Sequence, residues 1–212
     1  MGTVIVVTAC FRAETGAIGP RDGVRILHTR MGARAAGDLT RAVAAGDRVS
    51  LLLSTGFCGG LAPELRLGDL VIASETRSGG EAVRVDPALI ERARAALDAR
   101  GLSPRIGAVE CAEGVLAAAR KRELAARGGI SVDLETGPLA GWSAAHGIPF
   151  LSCRVVLDAV DEELPFSGRV PLWASVARHP LAAARAGRSA AVAARRIGVA
   201  VDCLLDAWEE AR

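Results

Sequence analysis

The most constraining feature of the chain is a stretch in which acidic residues follow two apolar segments. Residues 130–132 are mainly apolar and lead into Asp133 and Glu135. A helix-patterned segment follows, and residues 150–157, a largely β-branched apolar run, end at Asp158. The pattern predicts strand, helix, strand. If the two strands are parallel neighbours, the crossover helix brings both strand ends to one edge of the sheet, where ligands bind in open α/β folds. We therefore expect a site built from carboxylates at that edge.

The rest of the chain repeats this alternation. Further strands are predicted at residues 3–8, 24–28, 49–53 and 106–109, and helices at residues 31–45, 86–100, 115–126 and 136–145. A loop is expected over residues 162–171, followed by a C-terminal helical extension, residues 172–212, broken near Pro180 and Gly187. Because strands alternate with helices and no linker interrupts them, residues 1–212 are predicted to form a single α/β domain.

Composition narrows the class of protein. The 212 residues suffice for one domain with a full core, and half of them are hydrophobic. The 26 basic and 24 acidic residues leave a net charge of +2, so nothing supports a nucleic-acid partner. The five cysteines are widely spaced and form no CxxC, which indicates free thiols in a reducing compartment. With neither a signal peptide nor an apolar run of about 20 residues, we expect a soluble, cytoplasmic protein.

A glycine-rich stretch follows the apolar strand at residues 49–53. Gly56, Gly59 and Gly60 fall within five residues and predict a loop. Backbone N–H groups exposed by such a loop can bind an anion or ligand hydroxyls. The equally good alternative is a tight turn that needs positive φ angles. The stretch contains neither GxGxxG nor the lysine of a P-loop.

Three motifs together resemble a known superfamily. Residues 54–63, Ser-Thr-Gly-Phe-Cys-Gly-Gly-Leu-Ala-Pro, resemble the glycine loop of the nucleoside phosphorylase and methylthioadenosine/S-adenosylhomocysteine nucleosidase superfamily. Residues 132–135, Val-Asp-Leu-Glu, resemble its ribose-binding motif Val-Glu-Met-Glu, and residues 154–161 resemble its motif Arg-x-x-Ser-Asp-x-x-Asp. The resemblance covers residues 3–161 and implies a three-layer sandwich with a central mixed sheet flanked by helices. The later residues resemble the branch encoded with hopanoid lipid synthesis.

The resemblance implies cleavage of the N-glycosidic bond of a purine nucleoside, a 5′-modified adenosine such as methylthioadenosine or adenosylhopane. Such a bond breaks through an oxocarbenium-like ribose, and the base leaves more easily once it is protonated. Asp158 matches the family's acid, and a desolvated carboxyl can hold the raised pKa this role needs; the alternative is a helix cap. Glu135 matches the residue that holds the ribose hydroxyls, with a capping or surface carboxylate as the alternative. Leu134 takes the usual Met position against the sugar.

Other residues are assigned by the same resemblance. Glu14, reached with a one-residue adjustment of the alignment, matches the base that activates water, and a solvated loop glutamate is the alternative. Gly56, Cys58 and Gly59 would line the water, phosphate or ribose side. Cys58 is a poor nucleophile candidate because no histidine is evident nearby. Cys111 and Val115 fall where the family builds its purine pocket, although this segment has no aromatic ring.

Two departures from the family pattern bear on the reaction. Leu157 replaces the serine that usually precedes the acid, and Thr55 stands where some phosphorylases place a phosphate-binding arginine. A phosphate dianion needs Arg or Lys as well as backbone donors. The residues that could supply this charge are Arg12, Arg21, Arg25 and Arg30, but nothing in the sequence directs them to the site. We therefore favour water over phosphate as acceptor, and we expect no metal and no cofactor, with inorganic phosphate as the alternative co-substrate.

The sequence also bears on the partners of the protein and on alternative functions. The resemblance implies a homo-oligomer. The C-terminal segment mixes apolar residues with arginines, among them Arg195 and Arg196. It is either a basic amphipathic helix touching anionic lipid or a helix that covers the sheet or joins a subunit interface. His28 and His146 are assigned structural or surface roles. The competing functions are a nucleoside-binding protein without catalysis and an NAD-dependent oxidoreductase, against which the missing GxGxxG after the first strand argues.

Overall fold

The computed structural model describes residues 3–43, 47–162 and 180–210. Its strands are β1 Thr3–Ala9, β2 Val24–His28, β3 Arg48–Gly60, β4 Leu70–Ser78, β5 Glu81–Arg84, β6 Arg105–Cys111, β7 Gly129–Asp133 and β8 Phe150–Asp158. Its helices are α1 Arg12–Thr15, α2 Arg34–Ala42, α3 Pro87–Asp98, α4 Ala118–Ala126, α5 Thr136–Ala145 and α6 Pro180–Glu209. All but the first residue of the predicted loop 162–171 lies outside the described residues.

The strands form one mixed sheet in the order β2-β1-β3-β7-β6-β4-β5, and β8 pairs with both β3 and β4. Strand β3 is the hub of this sheet. Its first half pairs in parallel with β1, residues 52–59 pair in parallel with β8, and its last two residues pair antiparallel with β7. Because β8 also pairs with β4, the strands β3, β7, β6, β4 and β8 close into a ring. The predicted α/β architecture, a central mixed sheet flanked by helices, is confirmed.

The glycine-rich stretch is part of a strand, so the predicted loop is wrong. Strand β3 continues through residues 54–60 for a total length of 13 residues. A Cβ on Gly59 would lie 3.3 Å from Val132 Cγ1, and one on Gly60 would lie 3.3 Å from Leu65 Cβ and 3.4 Å from Val156 Cγ1. The absence of side chains lets neighbouring segments pack closely on this end of β3.

The strands that lead into the two acidic segments, β7 and β8, are not parallel neighbours. Strand β3 lies between β7 and β8, pairing antiparallel with the first and parallel with the second. The two acidic segments therefore approach Gly59 of β3 from opposite directions, with Val132 and Asp158 both paired with that residue. Glu135 contacts Arg154 within β8, whereas Asp158 is the last residue of that strand.

The C-terminal helix α6 covers the sheet. It begins at Pro180 and runs without interruption through Gly187, so the predicted break at Gly187 is wrong. Its buried apolar residues, Ile197, Val201, Leu204 and Leu205, belong to the main core, and the helix packs on β3, β8, α1 and α3. Most of the apolar side chains that suggested a lipid contact are thus buried in the protein core, while Val192 and Val199 are exposed. Among the described helices, none is long and apolar enough to cross a membrane.

Candidate functional site

Glu14 links the ends of two neighbouring strands. After β1, the chain turns at Cys10 and Phe11 into the single turn α1, and the carboxylate of Glu14 folds back on that turn. Its Oε2 accepts hydrogen bonds from the backbone N–H groups of Cys10 (2.9 Å) and Phe11 (2.7 Å), and its Oε1 accepts one from the N–H of Phe57 on β3 (2.9 Å). Glu14 is only 2% exposed, so it is not a solvated loop residue.

Glu135 lies beside Glu14 at the start of α5. Its Oε1 accepts the N–H of Gly32 (3.2 Å) and the Cys10 thiol (3.5 Å), and its Oε2 accepts from Arg154 Nη1 (3.4 Å). Cys10 therefore connects the two glutamates, through its backbone to one and its side chain to the other. Burial raises the pKa of Glu135, and the charge of Arg154 opposes this rise. Leu134, next along the chain, is half-buried.

Arg154 holds the site together from β8. Its Nε lies 2.8 Å from Asp133 Oδ2, and its Nη2 donates to Ser54 Oγ at 2.9 Å. Burial alone would lower the pKa of Arg154, but the charges of Asp133, Glu135 and Glu14 outweigh it and raise that pKa, so the guanidinium remains charged. In the sequence this arginine stands out only as the first residue of a family motif. An arginine within an otherwise apolar strand is the signal that marks it as a buried ion-pair partner.

Gly56 is the point on which these groups converge. Its φ is +133°, and a Cβ added there would lie 2.7 Å from Glu14 Oε1 and 3.0 Å from Arg154 Nη1. A side chain at this position would meet both charged groups, so glycine permits the close approach of strand, carboxylate and guanidinium.

Asp158 lies at the end of β8, four residues beyond Arg154. It is buried, and its Oδ2 accepts a hydrogen bond from Lys121 Nζ on α4. Burial raises the pKa of Asp158, while the hydrogen bond and charge of Lys121 oppose the rise. A turn follows over residues 159–162, and within the described residues no helix begins there for Asp158 to cap.

The remaining predicted site residues lie in different surroundings. Gly59 borders Asp158, since a Cβ on it would lie 3.6 Å from Asp158 Oδ1. The side chain of Cys58 belongs to the core, and burial raises the pKa of its thiol. Cys111 ends β6 opposite Asp133, and burial raises its pKa to about 12. Val115 is 38% exposed and precedes α4, which begins three residues later than predicted.

Both histidines have structural partners, as expected. His28 Nε2 lies 2.8 Å from Thr15 Oγ1, and His146 stacks on Trp142 with 4.1 Å between ring centroids. Among the residues described, no group of three or more His, Cys, Asp or Glu could hold a metal ion.

Three of the four arginines considered for phosphate binding have acidic partners elsewhere. Arg21 bridges α6 through Asp202 (3.2 Å) and Asp206 (2.5 Å). Arg25 pairs with Asp47 at 2.8 Å, and Arg30 pairs with Asp38 at 2.9 Å. The charge of each of these three arginines is therefore compensated by a carboxylate outside the cluster around Gly56.

A family model described as the phosphorylase superfamily matches residues 2–194. The chain belongs to this superfamily. No curated protein sequence matches this superfamily member, but solved structures share its fold. A Borrelia burgdorferi protein assigned as a 5′-methylthioadenosine/S-adenosylhomocysteine nucleosidase and bound to adenine has a TM-score of 0.77 at 13% identity, covering 96% of this chain and 99% of its own.

Two Helicobacter pylori structures are also similar. The futalosine hydrolase of that organism has a TM-score of 0.74 at 14% identity and covers 96% of this chain and 97% of its own. A variant of its methylthioadenosine/S-adenosylhomocysteine nucleosidase, with 5′-methylthioadenosine in the active site, has a TM-score of 0.70 at 16% identity and covers 95% of this chain and 99% of its own. At these identities the likeness establishes a common fold.

Proposed function

We propose that this phosphorylase-superfamily member cleaves the N-glycosidic bond of a purine nucleoside and releases the base. The observation that carries the proposal is a buried cluster of charged groups. Glu14 and Glu135 meet at Cys10 and share the surroundings of Arg154, and a second buried carboxyl, Asp158, ends the same strand.

The glutamates suit the ribose end of such a substrate. Glycosidic cleavage leaves positive charge on the sugar, and preorganised carboxylates stabilise that charge as it develops. Glu135 accepts from Gly32, Cys10 and Arg154, which fixes the orientation of its carboxylate, and we assign it to the sugar hydroxyls. Glu14 accepts three backbone N–H groups on its two oxygens. A carboxylate has about four acceptor positions, so Glu14 retains capacity to take a proton from water.

Asp158 suits the base end. In the proposed step its O–H bond breaks, the proton goes to a ring nitrogen of the purine, and the electron pair of the C–N bond leaves with the base. Water then adds to the sugar, and its proton goes to Glu14. The raised pKa of Asp158, caused by burial, favours the protonated form that this step requires. The reaction is a heterolysis between nucleoside and water, so it needs neither an oxidant nor a reductant.

The local charge favours water over phosphate as acceptor. Among the described residues around Gly56, the carboxylates Asp133, Glu135 and Glu14 outnumber the one guanidinium, Arg154. A phosphate dianion placed there would be repelled by these carboxylates, and each of the three guanidinium nitrogens of Arg154 already donates to a protein acceptor.

A 5′-modified adenosine is the proposed substrate. The structurally similar Borrelia and Helicobacter proteins bind adenine and methylthioadenosine respectively, which supports an adenine base here. The choice among methylthioadenosine, adenosylhopane and related nucleosides is open to a substrate panel. A homo-oligomer is part of the same proposal. Contact of α6 with lipid stays a prediction, to be tested by flotation with anionic vesicles.

The deciding experiment is release of adenine, measured by chromatography, from a panel of 5′-modified adenosines with and without phosphate. Asp158→Asn should lower the rate by about 10²–10⁴-fold, the range for loss of a general acid. Asp161→Asn is the matched control, since its side chain is 74% exposed and pairs with Arg122. It should leave the rate unchanged.

Three outcomes would each count against a part of the proposal. Adenine release by Asp158→Asn at the wild-type rate would remove the assigned acid. Binding of adenosines, seen as a raised melting temperature, without release of base from any of them would instead favour a nucleoside-binding protein. Release that requires phosphate would make the enzyme a phosphorylase.

A further inference from the structure

Lys121 is a buried lysine. It lies on α4, is 2% exposed, and places all three ammonium donors on protein acceptors. One goes to Asp158 Oδ2, one to the carbonyl oxygen of Ala159 (2.8 Å) and one to that of Glu162 (2.9 Å). Lysine is almost never buried to this extent unless it is paired.

The neighbours of Lys121 on the same helix behave differently. Arg120 pairs with Glu123, and Arg122 pairs with Asp161 at 2.6 Å, in each case between exposed side chains. Lys121 alone among these four charged residues of α4 turns inward. The space for it is provided by Gly59 of β3, where a Cβ would lie 3.5 Å from Lys121 Cε and 3.6 Å from Asp158 Oδ1.

We propose that Lys121 is a positioning residue for the acid Asp158. It fixes the carboxyl and the turn that follows it, and it supplies the counter-charge against which that carboxyl releases its proton. This inference rests on the proposed function. In the step above, Asp158 begins as a neutral acid and ends as a carboxylate, and the Lys121 ammonium is close enough to stabilise the charge that appears.

The charged and titratable groups around Asp158 determine in which direction its pKa changes when the charge of Lys121 is removed. Lys121 faces it from α4, Glu162 from the following turn and the Cys58 thiol from β3. Burial and Glu162 raise the pKa of Asp158, whereas Lys121 lowers it. Without the ammonium, the opposing effect is lost and the pKa of Asp158 rises further. The acid would then be protonated over a wider pH range but would give up its proton less readily.

The test compares Lys121→Met, Lys121→Gln and Lys121→Arg with the exposed control Arg122→Met. The measurement is the pH profile of kcat/KM for base release. Removal of the charge in Lys121→Met and Lys121→Gln should move the limb on which Asp158 loses its proton upward by about one pH unit or more and lower the plateau by about 10-fold. Lys121→Arg should restore the wild-type limb, and Arg122→Met should not move it.

Lys121→Gln covers the case in which the methionine variant fails to fold, because glutamine retains hydrogen-bond donors without the charge. A limb at the wild-type pH in a folded Lys121→Gln would overturn the inference, whatever happened to the rate, since it would leave Lys121 a purely structural role.

A second readout separates this inference from the proposed function. Carbon-13 NMR of labelled aspartate, with Asp158→Asn to assign the resonance, follows the titration of Asp158 without substrate. Its midpoint should be higher in Lys121→Gln than in wild type. An equal midpoint would overturn the inference even in an active enzyme. Absence of base release by wild type would overturn the proposed function and leave this titration to decide the role of Lys121.

Discussion

Replacement of Gly56 by alanine should lower both the melting temperature of the protein and the rate of base release, for two different physical reasons. The φ of +133° at Gly56 is unfavourable for any residue with a Cβ. Holding a non-glycine residue in such a region costs about 1–3 kcal/mol. For a chain of this size, that cost lowers the melting temperature by about 2–12 °C.

The second effect of Gly56→Ala falls on the charged groups. The new Cβ would lie 2.7 Å from Glu14 Oε1, whereas ordinary van der Waals contact begins at 3.4 Å, so the carboxylate must move back by about 0.7 Å. That oxygen also accepts the N–H of Phe57 at 2.9 Å, a hydrogen bond that the movement would weaken. Misplacement of a catalytic group by about 1 Å costs about 100-fold in rate, and we expect a loss of that order here.

Gly68→Ala is the matched control. Gly68 has φ +90° and no atom within 4 Å of the position a Cβ would take. It should lower the melting temperature by a similar amount and leave base release unchanged. Melting is followed by circular dichroism and activity by adenine chromatography well below both transitions. Activity of Gly56→Ala within twofold of wild type, or an equal loss in Gly68→Ala, would refute the assignment of Glu14 to the site.

Other perturbations have equally definite outcomes. Arg154→Met should reduce the free energy of unfolding by about 3–5 kcal/mol in urea titrations, because it leaves Asp133 and Glu135 buried without their cation; a loss below about 1 kcal/mol would contradict this. Glu14→Gln should lower the rate of base release by about 10²–10⁴-fold, and steady-state kinetics should show little change in KM; an unchanged rate would remove Glu14 as the base. The value of kcat/KM should fall as pH rises through the pKa of Asp158, which burial places above that of an ordinary aspartate. The fall follows because the carboxylate form has no proton to give, and a limb at the ordinary aspartate pKa would contradict the buried acid.

The elements around the site were largely predictable because their hydrophobic patterns are strong. Helix α5 has the predicted limits, and β8 exceeds its predicted range by one residue, Asp158. Both segments are largely buried, so the spacing of their apolar residues directly reflects which side chains face the core. The positions of Glu14, Glu135 and Asp158 near the strand ends followed from the motifs, and the structure buries all three.

The glycine-rich stretch shows where local pattern is insufficient. Gly59 and Gly60 have the composition of a loop, and their true environment is a strand crowded by Val132, Leu65 and Val156. Two of these neighbours lie on strands more than seventy residues away in the chain. Crowding by such distant segments leaves no signal in the local sequence, so a glycine needed for close packing looks like one needed for a turn.

Lys121 was missed for a related reason. It stands in the run Arg120-Lys-Arg-Glu, which has the composition of a solvated helix face. Its inward orientation is determined by Asp158, 37 residues later, and by the carbonyl groups of the turn beyond. A buried lysine is energetically acceptable only where such acceptors are already in place. Its position is therefore a property of the tertiary structure.

Strand β8 connects the charged cluster around Gly56 with the pair formed by Asp158 and Lys121. It carries Arg154, which contacts Asp133 and Glu135, and Asp158, whose carboxyl accepts a hydrogen bond from Lys121. Because these two residues are four positions apart in a strand, their backbones lie about 13 Å apart. Leu157, which replaces the serine of the family pattern, packs on the core and offers no hydroxyl to the acid. The ammonium of Lys121 provides the hydrogen bond to Asp158 in this chain. A neutral hydroxyl would only orient the carboxyl, whereas an ammonium also stabilises its charge. The carboxyl of Asp158 is thus coupled to a buried positive charge, and the pH dependence of base release is the measurement in which the proposed effect of that charge should be visible.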